Sequence, residues 1–124
     1  MLTSTGSVKL INFGVSKLIS KKTNLTEVEG ILDYMAPEVI EGVGYNHKAD
    51  LWSVGVVLYK ILFGRLPFSD GEKTEAIEVI ENIKTANYLQ SAPFTAVFEE
   101  ISTPCKDLIL ALLEHDPKKR LTAA

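Results

Sequence analysis

Hydrophobic positions change rhythm several times along this chain, and each rhythm predicts an element. Residues 8–11 and 15–19 carry short β-type apolar runs, separated by Asn12-Phe13-Gly14. Residues 20–29 are polar without a strong period and read as a surface loop. In "YMAPEVIEG", Pro37 suits the first position of a short helix that Gly42 ends. The strongest helical segment is residues 50–63. There Leu51, Trp52, Val54, Val56, Val57, Leu58, Ile61 and Leu62 cover nearly the full circumference, a pattern that predicts burial on every side. Gly64 stops this helix, Pro67-Phe68 open a loop, and Ser69-Asp70-Gly71 form a turn signal. From about residue 72 to 86, Ala76, Ile77, Ile80 and Ile83 recur at helical spacing on an acidic, polar background. Residues 87–101 read as irregular. Ser102 or Thr103, with Pro104, opens a last helix whose apolar face is Cys105, Leu108, Ile109 and Leu112. A basic loop, "DPKKRLTAA", follows.

These elements do not balance. A helix buried all round needs neighbours on every side, and two amphipathic helices with a few strand residues cannot provide them. The chain therefore reads as part of a domain. At 124 residues, 46% hydrophobic and 23% charged, it has the size and make-up of one small globular unit. A net charge of −3 gives no electrostatic basis for nucleic acid or an anionic membrane as partner. The single cysteine, Cys105, cannot form an internal disulfide. The first residues lack the basic start and apolar core of a signal peptide. The longest apolar stretch is too short to span a bilayer and carries Lys60. Together these features predict an intracellular, cytoplasmic protein. His47, His115 and Cys105 have no metal-site spacing and are expected in surface or core roles.

Four stretches, in this order, carry a resemblance: "VKLINFGVSKL", "GILDYMAPEVIEG", "YNHKADLWSVGVVLYKILFGRLPF" and "CKDLILALLEHDPKKRLTA". They resemble, respectively, the metal-binding Asp-Phe-Gly strand turn, the substrate loop with Ala-Pro-Glu, the central helix of the large lobe, and the late helix with its Arg-containing loop. The family is the eukaryotic protein kinase catalytic domain, of serine/threonine type, similar to the calcium/calmodulin-dependent or Aurora groups. The fold implied is α+β and partial, a mainly helical C-lobe segment with a small β element at its N-terminal end. It divides into strands around the metal motif (about 1–19), activation segment and substrate loop (20–42), and late C-lobe helices (43–124). The glycine-rich loop, the ATP-binding lysine and the His-Arg-Asp loop of the family precede the metal motif, and nothing before Val8 could supply them. ATP and Mg2+ are thus implied for the intact domain and none for this chain alone, which is expected to be inactive.

The resemblance also assigns residues. Ile11 would line the nucleotide pocket. Asn12 stands where the family has the Mg2+-binding aspartate; the plainer reading is a turn residue. Its amide oxygen carries no formal charge, and a unit charge pair at about 4 Å is worth roughly 4 kcal/mol at an effective dielectric near 20. A weakened metal position is therefore expected. Ile31, after Gly30, replaces a threonine whose hydroxyl serves the catalytic loop. Leu32 and Met35 would face the residue after the phosphoacceptor. Glu38 and Arg120 would form a buried ion pair, Asp50 would support the catalytic loop, and Thr23 and Thr26 occupy a stretch often phosphorylated in kinases. Glu27 is a candidate to stand in for such a phosphate. Two functions follow. One is a kinase segment that carries the substrate platform for protein Ser/Thr phosphorylation. The other is a pseudokinase or regulatory module that binds proteins without catalysis, a reading favoured by Asn12 and Ile31. Exposed apolar surface where absent helices belong predicts oligomerisation or exchange of elements between chains.

Overall fold

A computed structural model describes residues 1–20, 24–86, 98 and 100–123. At its start, Thr3–Ser7 turn the chain back on itself. Thr3 N–H donates to Ser7 O at 2.9 Å, Gly6 takes φ +78°, and the single antiparallel bridge Leu2–Val8 results. Beyond it the expected strands do not form; Leu10 is 84% exposed and residues 9–20 carry no strand. A β-type run needs a partner ladder and a surface for its apolar face, and one short hairpin provides neither. A second isolated bridge, Leu25–Tyr45, ties the polar loop to the segment before the long helix.

The helices follow the proline and glycine punctuation closely. A 3-10 turn, Leu32–Tyr34, leads into α1, Pro37–Glu41, with Pro37 at its first position and left-handed Gly42 (φ 63°) at its end. Helix α2, Lys48–Phe63, is closed by left-handed Gly64, whose N–H returns to Lys60 O at 2.9 Å. Helix α3, Ala76–Thr85, begins later than its pattern suggested, because a 3-10 turn, Gly71–Lys73, intervenes. Helix α4, Thr103–Leu112, starts after Ser102 with Pro104 in its first turn. The irregular segment expected over 87–101 lies largely outside the described residues. None of the described helices is long and apolar enough to cross a membrane.

Burial of α2 differs from expectation. Its buried residues, Trp52, Gly55, Val56 and Tyr59, form one stripe at i, i+3, i+4, i+7, while Val54, Val57 and Ile61 are exposed. Among the described residues, the elements that pack on α2 are chiefly α4 and the 3-10 turn Leu32–Tyr34. Helix α3 is rotated relative to its reading as well. Val79 and Ile83 are buried and Ile77 is exposed, because its neighbours are α1 and the 3-10 turn. On α4 the buried pair is Ile109 and Leu112, continued by Leu113, with Leu108 outside. The core gathers around Trp52, whose ring stacks on Phe68 at 5.4 Å and 8°.

Candidate functional site

The best-defined polar assembly is a buried socket around Arg120. Arg120 is 1% exposed, so an uncompensated charge there would cost several kcal/mol. Every one of its five N–H donors has an acceptor. Nη1 reaches Glu38 Oε1 at 2.6 Å and Lys48 O at 3.1 Å. Nη2 reaches Glu38 Oε2 at 2.9 Å and His115 O at 3.2 Å, and Nε reaches Glu114 O at 2.8 Å. The guanidinium also lies 5.1 Å from the Trp52 ring. Lys48 returns the interaction, its Nζ donating to Arg120 O at 2.9 Å and Lys118 O at 3.2 Å. Glu38 sits in the first turn of α1, where the helix dipole favours its carboxylate. The bidentate pair thus fastens α1 to the loop after α4, across 82 residues of sequence.

Above α1 the chain runs through Gly30 and the 3-10 turn. Gly30 holds φ +128°, a conformation side chains rarely adopt. The turn is fixed from α2: Ser53 Oγ donates to Tyr34 O at 2.8 Å, and Lys60 Nζ meets the Tyr34 hydroxyl at 3.3 Å. A cleft of about 300 Å³ opens beside it. Gly30, Ile31, Met35, His47, Asp50 and Ser53 are among the residues that line it. Ile31 is 69% exposed, presenting an apolar surface to the cleft. Leu32, expected to share that role with Met35, packs instead against the buried cluster and does not line the cleft. A 3-10 turn eclipses positions three apart, so it cannot direct Leu32 and Met35 to different surfaces by register alone; Met35 has already left the turn with extended backbone, ψ 138°.

The front of the chain reaches the cleft through Val15, Ser16, Lys17 and Ile19. Asn12 has φ +65°, a left-handed conformation that asparagine tolerates, just before a turn closed by Ser16 N–H to Phe13 O at 3.1 Å. Ile11 and Asn12 are exposed and do not line the cleft. One neutral amide oxygen is a poor match for a dication that favours carboxylates. Among the described residues, no three of His, Cys, Asp and Glu form a group that could hold a metal ion.

In the polar loop, Thr26 is exposed, and Thr23 lies outside the described residues. Among the described residues, the ion pair of this loop is Glu29 with Lys17, at 3.7 Å. Glu27 contributes its carbonyl, which accepts the Tyr45 hydroxyl at 2.7 Å. Burial, then the negative charges of Glu27 and Glu29, push the Tyr45 phenol above its ordinary value. Tyr45, Lys48 and Ser53 were not singled out from the sequence. All three lie inside the quoted stretch "YNHKADLWSVGVVLYKILFGRLPF", but nothing in the pattern marks their roles.

Compared with family models, the chain matches the protein kinase domain over residues 1–124. The chain belongs to the protein kinase family. Among curated proteins, this kinase chain is 38% identical over 124 residues to the serine/threonine-protein kinase PEPKR2 of Arabidopsis thaliana, covering 99% of itself and 25% of the relative. It is 37% identical to the serine/threonine-protein kinase ULK3 of Xenopus laevis, covering 93% of itself and 23% of that protein. Against calcium/calmodulin-dependent protein kinase type IV of Homo sapiens it is 35% identical, again covering 93% and 23%. The kinase chain thus spans about a quarter of the length of the curated relatives it matches. The family implies ATP and Mg2+ in an intact domain and protein substrates.

Proposed function

We propose that this chain is the activation segment and substrate platform of a serine/threonine protein kinase, one that transfers the ATP γ-phosphoryl group to protein Ser or Thr. The observation that carries the reading is the Arg120 socket. It holds α1, and with it the turn bearing Ile31 and Met35, rigidly beside the cleft. A polypeptide seated there would meet the apolar Ile31 and Met35 and the carboxylate-bearing Asp50. Residues 1–19 form the nucleotide-facing front, 20–42 the activation segment, and 43–124 the helical base. Ile11 and Asn12 face the nucleotide, Asn12 being a weakened Mg2+ position. Thr23 and Thr26 are candidate sites of regulatory phosphorylation, and Asp50 supports the catalytic loop. The base and the ATP-binding lysine come from outside residues 1–124, so this chain alone transfers no phosphoryl group. Its exposed apolar positions make it self-associate when isolated.

The test uses the full-length protein with ATP, Mg2+ and a library of serine- and threonine-centred peptides. Phosphate incorporation that rises in Asn12→Asp is the expected result. Calorimetric binding of ATP and Mg2+ without transfer in either form would replace the enzyme by a partner-binding pseudokinase.

A further inference from the structure

The 3-10 turn Leu32–Tyr34 has a third tether that comes from neither α1 nor α2. Ser69, 7% exposed in the loop between α2 and α3, donates its hydroxyl to Asp33 Oδ1 at 2.5 Å. The partners are 36 residues apart in sequence. A charge-assisted hydrogen bond between oxygens is short and among the stronger neutral-to-ion contacts. The donor is itself firmly placed. The preceding residue, Phe68, stacks on Trp52 in the core, and its carbonyl accepts Asn82 Nδ2 from α3 at 3.1 Å. Ser69 Oγ further accepts the Gly71 N–H at 3.4 Å. The Asp33 carboxylate is therefore pinned to a surface that moves with the core.

Asp33 is flanked by Leu32, which packs on the core, and Tyr34, which lines the cleft. Ile31 and Met35, at the two ends of the turn, also line it. The two α2 tethers act on Tyr34 alone. Ser69 supplies the side-chain hydrogen bond to the other half of the turn, beside the packing of Leu32, and Ile31 adjoins that half. We propose that Ser69 is a positioning residue of the substrate loop: through Asp33 it sets the wall of the cleft that receives the substrate. This rests on the kinase reading above, and it adds a residue from outside the substrate loop and its anchoring pair.

The experiment measures phosphorylation of the same peptide library by the full-length protein and by its variants. Ser69→Ala raises KM about tenfold with a smaller effect on kcat, as expected for loss of one hydrogen bond to a charged group. Asp33→Ala matches it, Asp33→Asn, which keeps the acceptor oxygen, restores most of the loss, and the double variant is no worse than either single one. Thr74→Val is the control. It removes another hydrogen bond of the same loop, from Asp70 N–H to Thr74 Oγ1 at 2.8 Å, without touching Asp33, and leaves KM unchanged. Additive effects of Ser69→Ala and Asp33→Ala, or an equal rise in KM in Thr74→Val, overturn the proposal. If the wild-type protein phosphorylates no peptide, the kinase reading falls, and amide hydrogen exchange decides the tether separately. Faster exchange at Tyr34 and Met35 in Ser69→Ala than in Thr74→Val upholds it; equal exchange refutes it.

Discussion

Arg120 shows how one side chain can be expensive to bury and still stabilise. Its charge is out of water, yet Glu38 and three carbonyls occupy all of its donors. Truncation would leave Glu38 buried without its partner. Arg120→Ala in the intact domain is therefore expected to lose about 3–5 kcal/mol of stability. Lys119→Ala, at an exposed neighbour, should stay within about 0.5 kcal/mol. Thermal melts of both variants check this, and equal small shifts would contradict the socket. Tyr45 gives a pH-dependent counterpart. Its phenol proton makes the bond to Glu27 O, and its folded pKa lies above the unfolded value of about 10. The folded state therefore holds the proton more tightly. The contribution is fully present below about pH 10 and is lost as pH rises through the folded value. Tyr45→Phe should lower stability by about 0.5–1.5 kcal/mol at neutral pH. It should also flatten the alkaline loss; chemical denaturation of both proteins at neutral and alkaline pH measures this. The partnership of Glu38 with Arg120 was legible from the motifs. Tyr45 was not, because a tyrosine that binds a carbonyl leaves no mark in the pattern of apolar positions.

Between elements, α2 comes close to α4 and the residue after it at Gly55. A Cβ built there would lie 2.8 Å from Leu113 Cδ2 and 2.9 Å from Leu112 Cβ. Alanine would add about 1 kcal/mol of helix propensity, but overpacking costs about 1–3 kcal/mol. Gly55→Ala is expected to destabilise on balance, with a melting temperature below wild type as the readout. Helix α3 offers a paired test of which face is inward. Ile83→Ala should cost about 2–5 kcal/mol, since Ile83 is fully buried. Ile77→Ala, at a position 75% exposed, should cost no more than about 0.5 kcal/mol. Denaturant titration of the two separates them. The helical period of α3 could be read from Ala76, Ile77, Ile80 and Ile83, but its inward face could not. Val79 and Ile83 are chosen by where α1 and the 3-10 turn lie, and that is a property of packing.

Taken as a single body, the described residues gather on one core and leave much apolar surface outside it. Val54, Val57 and Ile61 lie along one side of α2, and Leu10, Phe13, Val15 and Leu18 are exposed at the front. Surface of that kind drives association when nothing covers it. The isolated chain is expected to self-associate, and light scattering showing a monodisperse monomer would count against this. The imbalance was legible beforehand, since α2 is apolar around its girth and its company is small. Which side would be covered was not legible, because a pattern without polar gaps has no preferred direction.

The amino-acid sequence by itself determined the family, the proline and glycine ends of α1 and α2, and the identity of the Glu38–Arg120 pair. Those are local punctuation or residues whose type and order are sufficient. Tertiary structure alone decided the buried stripe of α2, the inward turn of Leu32, the clasp of Lys48 on the Arg120 loop, and the bond between Ser69 and Asp33. Each depends on groups distant along the chain meeting in space, and such meetings follow from how helices pack rather than from any short run of residues.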